Sequence, residues 1–235
     1  MELYRGIAVP QDKVAEVTRN IRVSGIIGNE GRKFIGTRLR PYIEQLFNRH
    51  NLSIKDTREG YEEFPTVAFA DELGAYYYAL RHNYRKDYVP LVIRAKIDIN
   101  KKDVHVDGRD FLYTVFGMWD KRNLVKTYGK DKAYQIVSST LKTIYGEKIL
   151  RYFNKAAQTD DYNYRIALCD LAINDLDVVL AHANNKIVIR GRWHVVFKSA
   201  FFVETPITPD EILEVFQPDP SKFEFIPDID LYTWL

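Results

Sequence analysis

The chain has 235 residues, 46% hydrophobic and 28% charged, with a formal net charge of +2 and one cysteine. That length and apolar share suffice for the core of one domain. A single cysteine excludes an intrachain disulfide and a thiolate metal cluster, and no apolar run approaches the roughly 20 residues that span a bilayer.

The N-terminus, MELYRGIAVP, lacks the basic-then-apolar layout of a signal peptide, so the expectation is a soluble, cytoplasmic protein with no membrane partner. Glu2 to Val9 reads as a first strand that Pro10 ends, with Arg5 standing where the alternation would otherwise run apolar. Such an arginine either pairs with a carboxylate from elsewhere or reaches into a pocket to hold a phosphate or ribose, with Gly6 allowing close backbone approach. Gln11 to Arg22 reads as a short helix. The glycine-rich loop Ser24 to Gly31 lacks G-x-G-x-x-G and G-K-[ST], so neither a Rossmann turn nor a P-loop is supported. Thr37 to Asn48 has helical spacing through Leu39, Ile43, Leu46 and Phe47, and Asn51 to Phe64 is polar, as a surface loop is.

Thr66 to Ala70 is a short apolar run of strand size, and Asp71 then supplies an N-cap for a helix from Glu72 to Asn83. Ala75, Tyr78 and Ala79 share its buried side, while Tyr76 and Tyr77 spread over the flanks. Three consecutive tyrosines cannot all face one way, so at least one ring stands at an edge or in a cleft. A strand follows from Pro90 to Ile99, a turn at Asp107-Gly108, and an aromatic helical segment from Phe111 to Trp119. Ala133 to Lys155 reads as one long helix. Tyr164 to Ala181 reads as a buried one, with Cys169 a small core residue. Two strands close the domain, Lys186 to Ile189 (continuing through Arg192 to Phe197) and Ser199 to Glu204. Thr208, Pro209 and Glu211 then form a capping box for a helix whose apolar face is Ile212, Leu213, Val215 and Phe216.

This gives a domain at 1–217 and an acidic, aromatic-anchored tail at 218–235. Residues 1 to 203 carry 33 basic against 24 acidic side chains, whereas eight acidic and one basic residue follow. The basic residues cluster at Arg38 and Arg40, Arg81 to Lys86, Lys121 and Arg122, and Lys186, Arg190 and Arg192. Several sit beside aromatic rings, a surface that suits a polyanion through counterion release and base stacking. The five histidines are scattered; His194 reads as a core or edge histidine, and neither a metal constellation nor a G-x-S-x-G elbow is present.

An arginine on the first strand, TVAFADELGAYYYA in the centre and a late strand ending at Glu204 before I-T-P-D-E-I together resemble the ADP-ribosyltransferase superfamily. The resemblance implies an α+β fold with a split β-sheet core flanked by helices. It also implies a mono-ADP-ribosyltransferase with NAD as donor substrate, of the kind found as toxins in bacterial toxin-antitoxin or phage-defence systems, with a possible antitoxin partner. In LYRG (Leu3 to Gly6), Arg5 takes the role of the basic or imidazole residue that contacts the NAD ribose and nicotinamide, and Gly6 offers its backbone to the nicotinamide amide. Phe69, Ala70, Ala75 and Tyr78 match F-A-x-x-x-x-A-x-x-Y, which implies a tyrosine, Tyr78 or its neighbour Tyr77, stacked on nicotinamide, with Thr66 and Phe69 lining the same site. Glu204 is the candidate for the glutamate that stabilises the cationic ribose. In relatives with a similar x-P-x-x-I segment that glutamate often lies several residues earlier, where this chain has Ala200 and Phe201. T-V-A at Thr66 to Ala68 departs from the S-T-S of the arginine subclass.

The basic body favours a nucleic-acid acceptor over a protein one. Two other readings stand beside this: a non-catalytic nucleic-acid or protein-binding module, and a hydrolase using paired carboxylates, Asp107 with Asp110 or Asp170 with Asp175.

Overall fold

The computed structural model describes residues 1–28, 65–83, 85–108, 111–185, 188–190, 196–197, 200–222 and 228–230. The expected helix at Thr37 to Asn48, the loop at Asn51 to Phe64, and Asp110 and His194 lie outside the described residues. In chain order the elements are β1 (Glu2–Pro10), α1 (Val14–Ser24), β2 (Thr66–Phe69), α2 (Glu72–Tyr77), β3 (Tyr88–Lys96) and β4 (Val104–Val106). Six helices follow: α3 (Leu112–Met118), α4 (Asn123–Tyr128), α5 (Lys130–Tyr145), α6 (Ile149–Ala157), α7 (Tyr162–Asn174) and α8 (Leu176–Ala183). The chain then adds β5 (Val188–Arg190), β6 (Val196–Phe197), β7 (Phe201–Glu204), β8 (Ile212–Phe216) and β9 (Asp228–Asp230).

The fold is α+β, with two antiparallel three-stranded sheets, β1-β3-β8 and β2-β7-β4. They meet at one bridge, where Tyr4 and Ala70 exchange backbone hydrogen bonds of 2.8 and 2.7 Å. Strands β6-β5-β9 form a third small sheet, in which the tail strand β9 runs parallel to β5.

Burial follows the pleat. On the first sheet Ile93 and Val215 meet Ile21 of α1, while Val92 on the opposite side of β3 packs against Ala75, Tyr76 and Ala79 of the α2 segment. The second sheet supplies Val67, Phe69, Val106, Phe201 and Val203 to the largest core, whose other wall is built from α3 and the helices after it. Among the described residues no helix is long and apolar enough to cross a membrane.

The long helix expected over Ala133 to Lys155 is two helices, because Gly146 takes φ 78° and its N–H returns to the Lys142 carbonyl. Only glycine adopts that conformation without strain, so the helix stops there. The helix expected over Tyr164 to Ala181 is likewise broken, at Asp175, whose side chain accepts the Asp177 N–H at 3.0 Å and caps α8. The capping box at Thr208 forms, with Glu211 accepting the Thr208 N–H at 2.8 Å, but it closes one 3-10 turn and heads no helix. Ile212 to Phe216 is the strand β8 instead. Its apolar residues lie along β3, and pairing with an open sheet edge satisfies the backbone of so short a segment better than one and a half helical turns would.

Candidate functional site

Asp71 ends β2 and starts α2: its carboxylate accepts the Gly74 N–H at 2.8 Å. Ala75 and Ala79 are fully buried against β1, where a Cβ on Gly6 would fall 1.9 Å from the Ala75 carbonyl oxygen and 2.7 Å from the Ala79 nitrogen. Gly6 is therefore required by helix–strand contact, whatever a ligand also demands of it. After Tyr77 the helix widens into a π turn, Tyr78–His82, closed by the Asn83 N–H donating to the Tyr78 carbonyl at 2.8 Å. Such single-turn widenings recur at functional sites, because they turn side chains away from the face the helix would otherwise present. Here Tyr78 and Asn83 both border a cleft, and Asn83 Nδ2 donates to the Gly6 carbonyl at 3.1 Å.

The cleft, about 240 Å³, lies at the seam between the two sheets. Arg5 and Gly6 reach it from β1, Phe69 and Ala70 from the end of β2, and Tyr78 from the π turn. Arg5 Nη1 donates to the Ala68 carbonyl at 2.7 Å, so the guanidinium spans the seam. One row of residues runs across the floor. Tyr4 pairs with Ala70; continuing the β2–β7 register by one residue sets Ala70 against Ala200; and the Asp107 N–H donates to the Ala200 carbonyl at 2.9 Å. Tyr4, Ala70, Ala200 and Asp107 all line the cleft.

Of the expected site residues, Arg5, Gly6, Phe69 and Tyr78 come together here. Thr66, Tyr77 and Glu204 do not line this cleft. Thr66 and Glu204 face each other at the far end of the β2–β7 ladder, four residues or roughly 13 Å along the strand from Ala200. There the Glu204 carboxylate accepts the Asp103 N–H at 3.1 Å. Tyr77 stands edge-on to Tyr78 with ring centroids 5.9 Å apart, and of the three tyrosines the first, Tyr76, is the buried one, its hydroxyl donating to Glu72 at 3.2 Å. Burial, then the Glu72 carboxylate, raises the Tyr76 phenol above its usual range; the same two causes, in that order, raise Tyr4.

Asp107 and Asn83 are the cleft residues that the superfamily pattern missed. Asp107 sits beside Gly108, so it reads as turn chemistry; only the β4–β7 pairing carries it to the seam. Behind the cleft Tyr145 is fully buried, and burial, then the Cys169 thiol and the Asp107 carboxylate, push its phenol well above its usual range. The other carboxylate pair considered for a hydrolase lies within the helical core: Asp170 accepts the Tyr113 hydroxyl at 2.6 Å, and Asp175 accepts that of Tyr152. Among the described residues no group of three or more histidine, cysteine, aspartate or glutamate side chains is placed to hold a metal ion.

Arg81 on the π turn and Arg85 and Lys86 after it are exposed, and the Arg85 guanidinium stands 5.8 Å from the centre of the Tyr88 ring; Tyr88 pairs with Pro10, five residues along β1 from Arg5. Comparison with family models, with curated proteins and with solved structures yields no match to this chain.

Proposed function

We propose that the seam cleft binds NAD and that the protein is an NAD-dependent ADP-ribosyltransferase with an ADP-ribosyltransferase-like split sheet, modifying a macromolecular acceptor, nucleic acid in preference to protein. The observation that carries this reading is the convergence of Arg5, Phe69 and Tyr78, from three separate segments, on one cleft where two sheets part. A guanidinium, two aromatic rings and a floor of Tyr4, Ala70, Ala200 and Asp107 suit a flat cationic ring joined to a ribose and phosphates. At about 240 Å³ the cleft falls below the ~300–1,000 Å³ of sites that enclose a whole drug-sized ligand, so it fits the nicotinamide–ribose half of the dinucleotide.

The chemistry asks little of the protein. Nicotinamide leaves as a neutral ring from a cationic one, so the site must hold the dinucleotide, keep bulk water away and oppose the positive charge that grows on the ribose. The acceptor then attacks the ribose carbon. For its class, the exposed Arg81, Arg85 and Lys86 with Tyr88 offer phosphate contacts beside a stacking ring, which favours nucleic acid.

The test is incubation with radiolabelled NAD and, separately, RNA, DNA or a cell lysate, beside an Arg5→Ala variant. Label on nucleic acid that disappears in the variant supports the reading. Label only on lysate protein keeps the transferase and moves the acceptor. If the native chain neither binds NAD nor releases nicotinamide, while retaining salt-sensitive binding to nucleic acid, the binding-module alternative replaces it.

A further inference from the structure

We infer that Asp107 is the carboxylate that faces the ribose carbon as nicotinamide departs, a step that rests on the NAD reading above. Three observations lead there. Asp107 is the acidic residue among the described residues lining the cleft that holds Arg5 and Tyr78. Its backbone is fixed at that level of the sheet by the hydrogen bond to Ala200 at 2.9 Å, one residue beyond the β4–β7 ladder. Glu204 stands at the opposite end of β7, with a carboxylate oxygen on the Asp103 amide.

The geometry explains how a carboxylate can serve this cleft when β7 itself offers none there. Residues directly opposite on adjacent antiparallel strands project from the same face, with Cβ atoms roughly 4.5–5.5 Å apart. Asp107 lies opposite Ala200. The Ala200 side chain is only a methyl group, and Asp107 beside it lines the cleft at the same level. The shorter side chain of aspartate is matched to a position on the cleft floor, where a side chain rising from the far end of β7 would have to cross roughly 13 Å.

In the reaction the bond between the ribose carbon and the pyridinium nitrogen breaks, and its electron pair stays with the nitrogen, giving neutral nicotinamide. The Asp107 carboxylate opposes the charge left on the ribose. A nitrogen or oxygen of the acceptor then donates a pair to the ribose carbon, and the proton it carried passes to Asp107 and on to water. NAD and acceptor are consumed; nicotinamide, the ADP-ribosylated acceptor and one proton are produced.

The experiment uses the full chain with water as acceptor, so that it does not depend on naming the biological one. NAD binding by calorimetry and nicotinamide release by chromatography are measured for the native protein and for Asp107→Asn, Asp107→Glu and Glu204→Gln, with a thermal melt of each. The expected result is a loss of nicotinamide release of about 10²–10³-fold in Asp107→Asn, the scale for removing one preorganised charge-stabilising group. NAD affinity should change less than threefold, and Asp107→Glu should recover part of the rate. Asp107→Asn turning over at the native rate would overturn the assignment and leave the NAD reading standing, as would loss in Glu204→Gln with Asp107→Asn unaffected. A native chain that does not bind NAD overturns both. A melt of Asp107→Asn displaced by more than 10 °C, with no rate recovered in Asp107→Glu, assigns Asp107 a structural role and also overturns the inference.

Discussion

In the helical region Arg165 is 2% exposed and donates to the Thr159 carbonyl, the Gly117 carbonyl and both carboxylate oxygens of Asp120, at 2.6 to 3.2 Å. At the seam Arg5 borders an open cleft and donates to the Ala68 carbonyl. Both arginines tie separate segments together. The first sits in a cage shaped to the whole guanidinium, which marks it as part of the framework; the second faces a space that a ligand can enter. The same contrast holds for carboxylates, since Asp170 and Asp175 accept tyrosine hydroxyls inside the helical core whereas Asp107 lies on the cleft floor. A polar residue inside this protein is thus read by what surrounds it, and burial alone does not separate a structural group from a functional one.

The comparison can be broken most sharply at Asp120. Asp120→Ala takes the two-oxygen partner from the buried Arg165 guanidinium and leaves it, among the described residues, only the exposed Asp160 carboxylate at 3.6 Å, and the expected loss is about 3–5 kcal/mol in denaturant unfolding. If unfolding shifts by less than about 1 kcal/mol, the cage is not the framework described. The hydrogen bonds from Arg165 hold the Asp120 carboxyl below its usual range. A carboxyl depressed in the folded state adds stability that is complete above its unfolded value near 3.9 and fades as pH falls through the folded value. Asp120→Asn should therefore flatten the acid side of the stability profile below about pH 4 and leave its shape at neutral pH unchanged, as read by melts across pH.

At the seam, Gly6→Ala drives a methyl group into the backbone of α2, and the expected cost is about 1–3 kcal/mol. On the proposed NAD reading the displacement should also weaken NAD binding, because Tyr78 and Asn83 ride on that segment; stability and affinity measured on one preparation sharpen the link between them. Smaller again is Asp71→Ala, which removes the N-cap of α2 and should cost about 1 kcal/mol, read as a shift in the denaturant midpoint.

The sequence carried these features unequally. The strand ELYRGIAV and the run TVAF with Asp71 behind it were legible, because local chemistry determines them: aromatic and β-branched residues ended by a proline, a short apolar length and a carboxylate at the head of the helix. The helix breaks at Gly146 and Asp175 were less so, since the apolar period continues past both and only backbone conformation and capping stop the helix. Ile212 to Phe216 satisfied a helix-start pattern and became a strand because β3 offers an open edge, a tertiary fact. Within the site, Arg5, Phe69 and Tyr78 were marked by their own motifs. Asp107 was visible only as a turn residue, for nothing in its neighbours says which strand will lie beside it. Glu204 illustrates the converse: its place at the end of a late strand was legible, but which end of that strand meets the cleft depends on the register with β2.

The pairing between β1 and β2 is a single residue long, so Tyr4 and Ala70 alone form the ladder there. Each sheet keeps its own ladder intact if that one rung opens, and two backbone hydrogen bonds, each worth a net ~0.5–1.5 kcal/mol, are small beside the several that hold β1 to β3. Across the seam the sheets are otherwise joined by side chains, through the Arg5–Ala68 hydrogen bond and a shared core in which Leu3 and Ala95 meet Val67 and Phe69, so opening there breaks fewer backbone hydrogen bonds than opening within either sheet. The amide protons of Tyr4 and Ala70, which make those two bonds, should therefore exchange with solvent sooner than the amides of the β1–β3 ladder, and hydrogen-exchange measurement checks it.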